Sequence, residues 1–144
     1  MKKKAIIVSG YFNPIHKGHI ELFHNAKLYG DKLIVIVNND KQRLLKGSKE
    51  FMLEEERLLI INELEVTDIV MLSIDKDSTV CKTIEKVYNN YSNLYNLYFA
   101  NGGDQDNKSI PEVSTCDNLG IKLLEGLGDK IQSSSWLLNK SKWK

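Results

Sequence analysis

The stretch that decides the fold is KAIIVSGYFNPIHKGHIELFHNAKLYGDKLIVIV, residues 4–37. It contains two apolar runs of strand length, at 4–9 and 32–37, on either side of a segment at 18–28 with helical period. Gly30 is predicted to end that helix as its C-terminal cap. Because neither run alternates with polar residues, both strands are expected to be buried on both faces, which is typical of parallel sheets.

The same alternation of strand and helix continues along the chain. Three more helices are predicted at 53–64, 80–91 and 111–119, and a last helix begins near Ser134. Three more strands are predicted at 68–72, 97–100 and 121–125. Within the 53–64 helix, the residues expected to face inward are Leu58, Leu59, Ile61 and Leu64.

This order of elements favours an α/β fold, a doubly wound, Rossmann-like, five-stranded parallel sheet with helices on both faces. Ligands of such sheets bind beyond the carboxyl ends of the strands, at the switch in strand order. With 144 residues and no linker-like segment, the chain is expected to form a single domain spanning 1–144.

Composition excludes several function classes. Twenty basic residues face nineteen acidic ones, for a net charge of +1, so neither a nucleic-acid surface nor a membrane surface is expected. No stretch approaches the ~18 apolar residues of a membrane span. Cys81 and Cys116 lack the spacing of metal ligands, and we expect reduced thiols in a cytoplasmic protein. Anion binding must then come from a few placed residues.

The segment that carries chemistry is GYFNPIHKGH, residues 10–19, which holds two of the chain's three histidines. A helix N-terminus has unpaired backbone N–H groups and a positive dipole end, and both attract phosphate oxygens. Gly10 lets the backbone approach a ligand closely, and Gly18 removes a side chain between the imidazoles. His16 and His19 are then expected to donate to one phosphoryl group. The alternative is that both histidines merely begin a helix.

This segment resembles the HxGH signature of the cytidylyltransferase-like nucleotidyltransferase superfamily, within a GxFxxxHxGH frame. Residues 30–40 are similar to the GDxLIVxxxxD stretch of glycerol-phosphate cytidylyltransferases and heptose-phosphate adenylyltransferases. The resemblance implies an enzyme that moves a nucleoside monophosphate from an NTP onto a phosphorylated small molecule and releases pyrophosphate. It implies that the catalytic residues are His16, His19 and Lys46.

The resemblance also implies nucleotide contacts further along the chain. Lys46, expected on a loop, and the Glu55-Glu56-Arg57 segment are similar to elements that approach phosphates in these enzymes. The Asn101–Asp104 turn resembles a KGGD turn, and the 133–135 serines resemble an element that closes around the triphosphate, although a plain turn and a helix cap are the alternatives. The arginine that precedes those serines in glycerol-phosphate enzymes is absent. The predicted nucleotide contacts are Gly10, Tyr11, Phe12, Gly18, Arg57, Gly102, Asp104, Ser133, Ser134 and Ser135.

Substrate and partner predictions are coarser. Lys49 and Asp40 are the candidates for acceptor binding, and Mg²⁺ is expected to bridge the nucleotide phosphates, with Asp104 as the candidate protein ligand. CTP is favoured slightly over ATP because of the chain's size, and the resemblance implies a homodimer. Two other classes are a non-catalytic nucleotide sensor and a flavodoxin-like electron carrier. The carrier would need a Ser/Thr-rich phosphate loop, which residues 11–15 do not provide.

Overall fold

The computed structural model describes residues 2–47, 49–100 and 111–124. Within these ranges the strands are β1 (Lys3–Gly10), β2 (Lys32–Val37), β3 (Ile69–Leu72), β4 (Tyr95–Ala100) and β5 (Lys122–Leu124). The helices are α1 (Lys17–Lys27), α2 (Asp40–Lys46), α3 (Glu54–Glu63), α4 (Cys81–Tyr91) and α5 (Pro111–Leu119).

The five strands form one parallel sheet in the order β3-β2-β1-β4-β5. The chain therefore winds outward from β1 to β3, returns to the middle, and winds the other way through β4 to β5. The strand order switches between β1 and β4, so the carboxyl ends of these two strands flank the expected ligand crevice. The predicted doubly wound sheet is confirmed.

Alternate residues of β1 belong to two separate hydrophobic cores, one on each face of the sheet, because successive side chains of a strand point to opposite faces. On one face Val8 shares a core with Phe23 of α1 and with side chains of α3. On the other face Ile7 shares a core with Ile84 of α4 and Cys116 of α5. Helices therefore cover both faces of the sheet, as predicted.

Helix α2 is absent from the sequence prediction, which placed Lys46 on a loop. The helix has only seven residues, too few to show a periodic apolar pattern. It begins with a capping box, in which Asn39 and Gln42 each accept a hydrogen bond from the other's backbone N–H, at 2.9 and 3.0 Å. It ends at Gly47, whose φ of 79° suits glycine. Lys46 is therefore the last residue of a helix.

Two smaller predictions were wrong. Leu59 is 61% exposed, because it lies about 200° around the helix from the buried residues Arg57 and Ile61. Gly30 does not cap α1, which ends at Leu28 in the right-handed helical conformation. Glycine is needed at position 30 for packing, since a Cβ there would lie 2.8 Å from the Ile6 side chain.

Cys81 and Cys116 are both free thiols, and burial raises the pKa of Cys116 to about 12. None of the helices in the described ranges combines the length and the apolar character needed to cross a bilayer.

Candidate active site

His16 and His19 begin α1 and hold each other in place. His16 is the N-cap residue, and its Nδ1 accepts a hydrogen bond from the Gly18 N–H at 3.1 Å. The backbone N–H of His16 donates to Nδ1 of His19 at 3.0 Å. A neutral imidazole carries its single proton on one nitrogen, so two Nδ1 acceptors imply two Nε2–H donors. Each backbone bond thus selects the tautomer of one ring.

The two imidazole rings stack, with centroids 3.9 Å apart and planes inclined by 27°. Desolvation lowers the pKa of His16. Desolvation and then the proximity of His16 lower the pKa of His19 from 6.5 to about 4. Both rings are therefore neutral near pH 7, which lets them lie side by side without charge repulsion. At that pH they are hydrogen-bond donors rather than proton donors.

The helix N-terminus contributes less backbone than the sequence predicted. The N–H of Gly18 is used by His16 Nδ1, and the N–H of His19 donates to the His16 carbonyl at 3.0 Å. Gly18 therefore participates in the cap, and the imidazole Nε2–H groups replace these two backbone donors as candidate phosphate contacts.

Phe12 supports the histidines from within the protein. Its ring meets His19 edge to face, with centroids 4.9 Å apart, and meets Phe23 in the same way at 5.5 Å. Phe12 is 2% exposed, so its predicted contact with a nucleotide is restricted to its backbone. Gly10 makes room for this ring, since a Cβ on Gly10 would lie 2.9 Å from Phe12 Cζ.

Asn13 ties the histidine loop, residues 11–16, to the segment before α3. Its Nδ2 donates to the Lys49 carbonyl at 2.6 Å. Its Oδ1 accepts from the backbone N–H groups of Phe51 and Met52, both at 2.9 Å. Sequence reasoning missed this residue, because its partners lie 36 to 39 positions away and are backbone atoms. Lys49, a predicted acceptor contact, has an exposed side chain beside the loop.

Lys46 reaches the same loop from the end of α2. Its Nζ lies 4.4 Å from the centroid of the Tyr11 ring, a cation–π contact. The pKa of Tyr11 is raised, mainly by burial, so its phenol stays neutral near pH 7. The structure thus brings two predicted site residues, Lys46 and Tyr11, into contact, on the loop that leads to the histidines.

Arg57 occupies the interior behind the loop. Its Nη1 donates to the carbonyls of Tyr11 and Asn38 at 2.7 Å, and its Nε donates to the Met52 carbonyl at 3.0 Å. Its Nη2 donates to Asp40 Oδ1 at 2.6 Å. The Arg57 side chain is 0% exposed. This geometry turns the guanidinium away from solvent, so it does not support the predicted contact with phosphate.

Asp40, the other predicted acceptor contact, is also engaged within the protein. Besides the ion pair with Arg57, its Oδ2 accepts from the Glu54 N–H at 3.1 Å. Its own N–H donates to Glu54 Oε1 at 2.8 Å. Asp40 therefore joins the start of α2 to the start of α3.

The remaining predicted contacts lie outside the described residues: Gly102, Asp104, Ser133, Ser134 and Ser135. Within the described ranges, no group of three or more His, Cys, Asp or Glu side chains could hold a metal ion. The donors found here are N–H groups and an ammonium, which fit phosphate oxygens rather than a cation. Mg²⁺ stays a prediction.

Comparison with known proteins agrees with this geometry. Residues 7–119 match the family model described as cytidylyltransferase-like. A FAD synthase from Ferroglobus placidus is 36% identical over 84 residues, which cover 58% of this chain and 53% of that protein. The bifunctional protein HldE from Cronobacter sakazakii is 37% identical over 71 residues, covering 48% of this chain and 15% of that protein. The chain thus spans about half of the first relative and a small part of the second.

Solved structures show the same fold. The lipopolysaccharide core biosynthesis protein from Thermoplasma volcanium superimposes with a TM-score of 0.67 and 27% identity, over 84% of this chain and 92% of that one. A bifunctional NMN adenylyltransferase/ADP ribose pyrophosphatase from Francisella tularensis gives 0.54 and 15% identity, over 96% and 42%, and shows the fold alone. The family match contains every described site residue from Gly10 to Arg57, and the chain belongs to the cytidylyltransferase-like family.

Proposed function

We propose that this protein transfers a nucleoside monophosphate from an NTP to the phosphate of a small molecule and releases pyrophosphate. The observation that carries the proposal is the histidine pair. Two neutral imidazoles, 3.9 Å apart, each have Nδ1 bonded to backbone and so present Nε2–H. Two adjacent N–H donors fit two oxygens of one phosphoryl group.

The chemistry requires no general base. An oxygen of the acceptor phosphate attacks the α-phosphorus, and a new P–O bond forms. The bond from the α-phosphorus to the oxygen that bridges it to the β-phosphorus breaks, and its electron pair leaves with pyrophosphate. A phosphate monoester has a second pKa near ~6, so its dianion dominates at neutral pH. The histidines therefore need not remove a proton from the acceptor, in agreement with the hydrogen bonds that their Nδ1 atoms accept from backbone N–H groups.

The protein then has to position the reactants and stabilise the developing charge. We assign His16 and His19 as donors to oxygens around the α-phosphorus, and we assign the Lys46 ammonium to attract the leaving pyrophosphate. The donors are held before the nucleotide binds, so little reorganisation accompanies the reaction. Mg²⁺, carried in by the nucleotide, would neutralise phosphate oxygens, and we assign no described residue as its ligand.

For the nucleotide we favour ATP, which revises the slight preference for CTP based on size. One relative is named a FAD synthase, and FAD consists of FMN joined to AMP. The acceptor class is therefore a phosphate monoester, with FMN as the first compound to try. A homodimer and a cytoplasmic location stay predictions.

The test is pyrophosphate release from ATP and from CTP, each with Mg²⁺, across FMN and phosphorylated polyols, sugars and amino alcohols. Acceptor-dependent release would support the proposal, and His19→Ala should reduce it by about 10²–10³-fold in a folded protein. Tight nucleotide binding without release from any acceptor would instead favour the sensor.

A further inference from the structure

We infer that Arg57 is a positioning residue, which sets the spacing between the histidine pair and Lys46 without touching the nucleotide. The kinetic part of this inference rests on the proposed function, whereas its structural part does not. The sequence predicted a phosphate ligand at this position. The structure assigns the guanidinium a different task.

One planar group joins three segments of chain. The Tyr11 carbonyl belongs to the histidine loop, the Asn38 carbonyl follows β2 directly, and the Met52 carbonyl lies just before α3. Asp40, the first residue of α2, accepts the fourth bond. Because the fork of a guanidinium is rigid, bonds to all four acceptors fix the relative positions of these segments.

Because Arg57 is buried and its charge is balanced, a phosphate ligand could not readily displace its protein partners. The Arg57 side chain has no exposed surface, and four of its N–H groups already have partners. The Asp40 carboxylate, 25% exposed, balances its charge. A phosphate could reach the guanidinium only by displacing the chain around it and leaving buried carbonyl groups without donors, which is costly.

Tyr11 connects Arg57 to both sets of phosphate donors. Its carbonyl accepts a hydrogen bond from Arg57, and the Lys46 ammonium lies 4.4 Å from the centroid of its ring. The next residue in the chain is Phe12, whose ring packs on His19 with the two ring centroids 4.9 Å apart. A shift of the Tyr11 backbone therefore moves the histidines relative to Lys46. In phosphoryl transfer, a misplacement of about 1 Å can cost ~10²-fold in rate.

The decisive variant is Arg57→Lys, which keeps a positive charge beside Asp40 but loses the fork. We expect kcat to fall about 10²-fold while KM for ATP changes less than about threefold. Asp68→Ala is the matched control. It removes the 2.7 Å ion pair with Lys27 at the edge where β3 begins, away from the site, and should lower stability with kcat unchanged.

Two further measurements separate positioning from ligation. Nitrogen-15 NMR of the histidines should show Arg57→Lys altering the ring signals of His16 and His19 but not of His24. Asp40→Asn should also lower kcat, because it weakens the anchor of Arg57. If Arg57 were instead a phosphate ligand restrained by Asp40, that variant would free it and tighten ATP binding.

The inference is overturned if Arg57→Lys weakens ATP binding tenfold or more at unchanged kcat, or leaves both kcat and the histidine signals unchanged (~10-fold is the loss for about 1.4 kcal/mol). Should the wild-type protein release no pyrophosphate from any acceptor, the proposed function fails. The histidine signals would still decide the role of Arg57.

Discussion

His16 and His19 stack with ring centroids 3.9 Å apart, and the Nδ1 atom of each accepts a backbone N–H from the first turn of α1. Each side chain therefore has two functions on two different nitrogens. Nδ1 stabilises the start of the helix, and in the proposed function Nε2 donates to a phosphoryl oxygen. Substitutions can separate the two functions.

His16→Asn should preserve the fold and abolish most of the activity. Asparagine is a favourable N-cap residue whose Oδ1 can accept the Gly18 N–H, but its side chain does not reach the position of Nε2. We expect kcat/KM to fall about 10²–10³-fold with little change in the free energy of unfolding. His16→Ala should lose the same activity and also about 1 kcal/mol of stability.

Urea denaturation and pyrophosphate release on the two variants check this prediction. Equal stability of the alanine and asparagine variants would show that the observed cap contributes nothing, and an active asparagine variant would exclude Nε2 of His16 as a donor.

Stability should depend on pH through His19. Its pKa is about 4 in the folded protein and near 6.5 when unfolded, so the unfolded state binds more protons between these values. The contribution of His19 is complete above about pH 6.5 and is lost as pH falls to about 4, at a cost of roughly 3 kcal/mol at most. The lowered pKa of His16 acts in the same direction.

Urea denaturation of the wild type and of His19→Asn at about pH 7 and about pH 4.5 measures this effect. The wild type should lose more stability than the variant across that interval. The same loss in both proteins would mean that His19 is not held neutral by its surroundings.

Lys46 should act through its charge and Tyr11 through its ring. Lys46→Met removes an ammonium from the proposed phosphate site, and we expect a loss of about 2 kcal/mol, or roughly 30-fold in kcat/KM. Tyr11→Phe keeps the aromatic face that carries Nζ and should leave activity close to wild type, whereas Tyr11→Leu removes that face.

Steady-state kinetics of these three variants with ATP are sufficient. Equal activities of Tyr11→Phe and Tyr11→Leu would show that the cation–π contact does not place Lys46.

The sheet could be predicted from the sequence because each strand contains a short run of apolar residues, and such a run is sufficient to indicate a buried strand. Helix α2 could not, since its seven residues offer a capping box but no periodicity. The histidine pair was predicted from the unusual spacing of His16 and His19. Their tautomers were not, because these depend on which backbone N–H groups meet Nδ1.

Arg57 shows a general reason why the rest of the site was missed. A sequence motif identifies the charge of a side chain but does not show which way it faces, and Arg57 faces carbonyl groups in the interior. Asn13 carries no signal for a similar reason, since its partners are backbone atoms of residues 49–52. Interactions with distant backbone become visible only in the fold.

Phosphorus-31 NMR of the reaction product distinguishes the transfer of a nucleoside monophosphate onto an acceptor phosphate from hydrolysis of the nucleotide. With ATP, Mg²⁺ and an accepted phosphate monoester, we predict two coupled signals of a new phosphate–phosphate linkage, which joins AMP to the acceptor, together with an equal amount of pyrophosphate. Release of inorganic phosphate, or of AMP unattached to any acceptor, would contradict it.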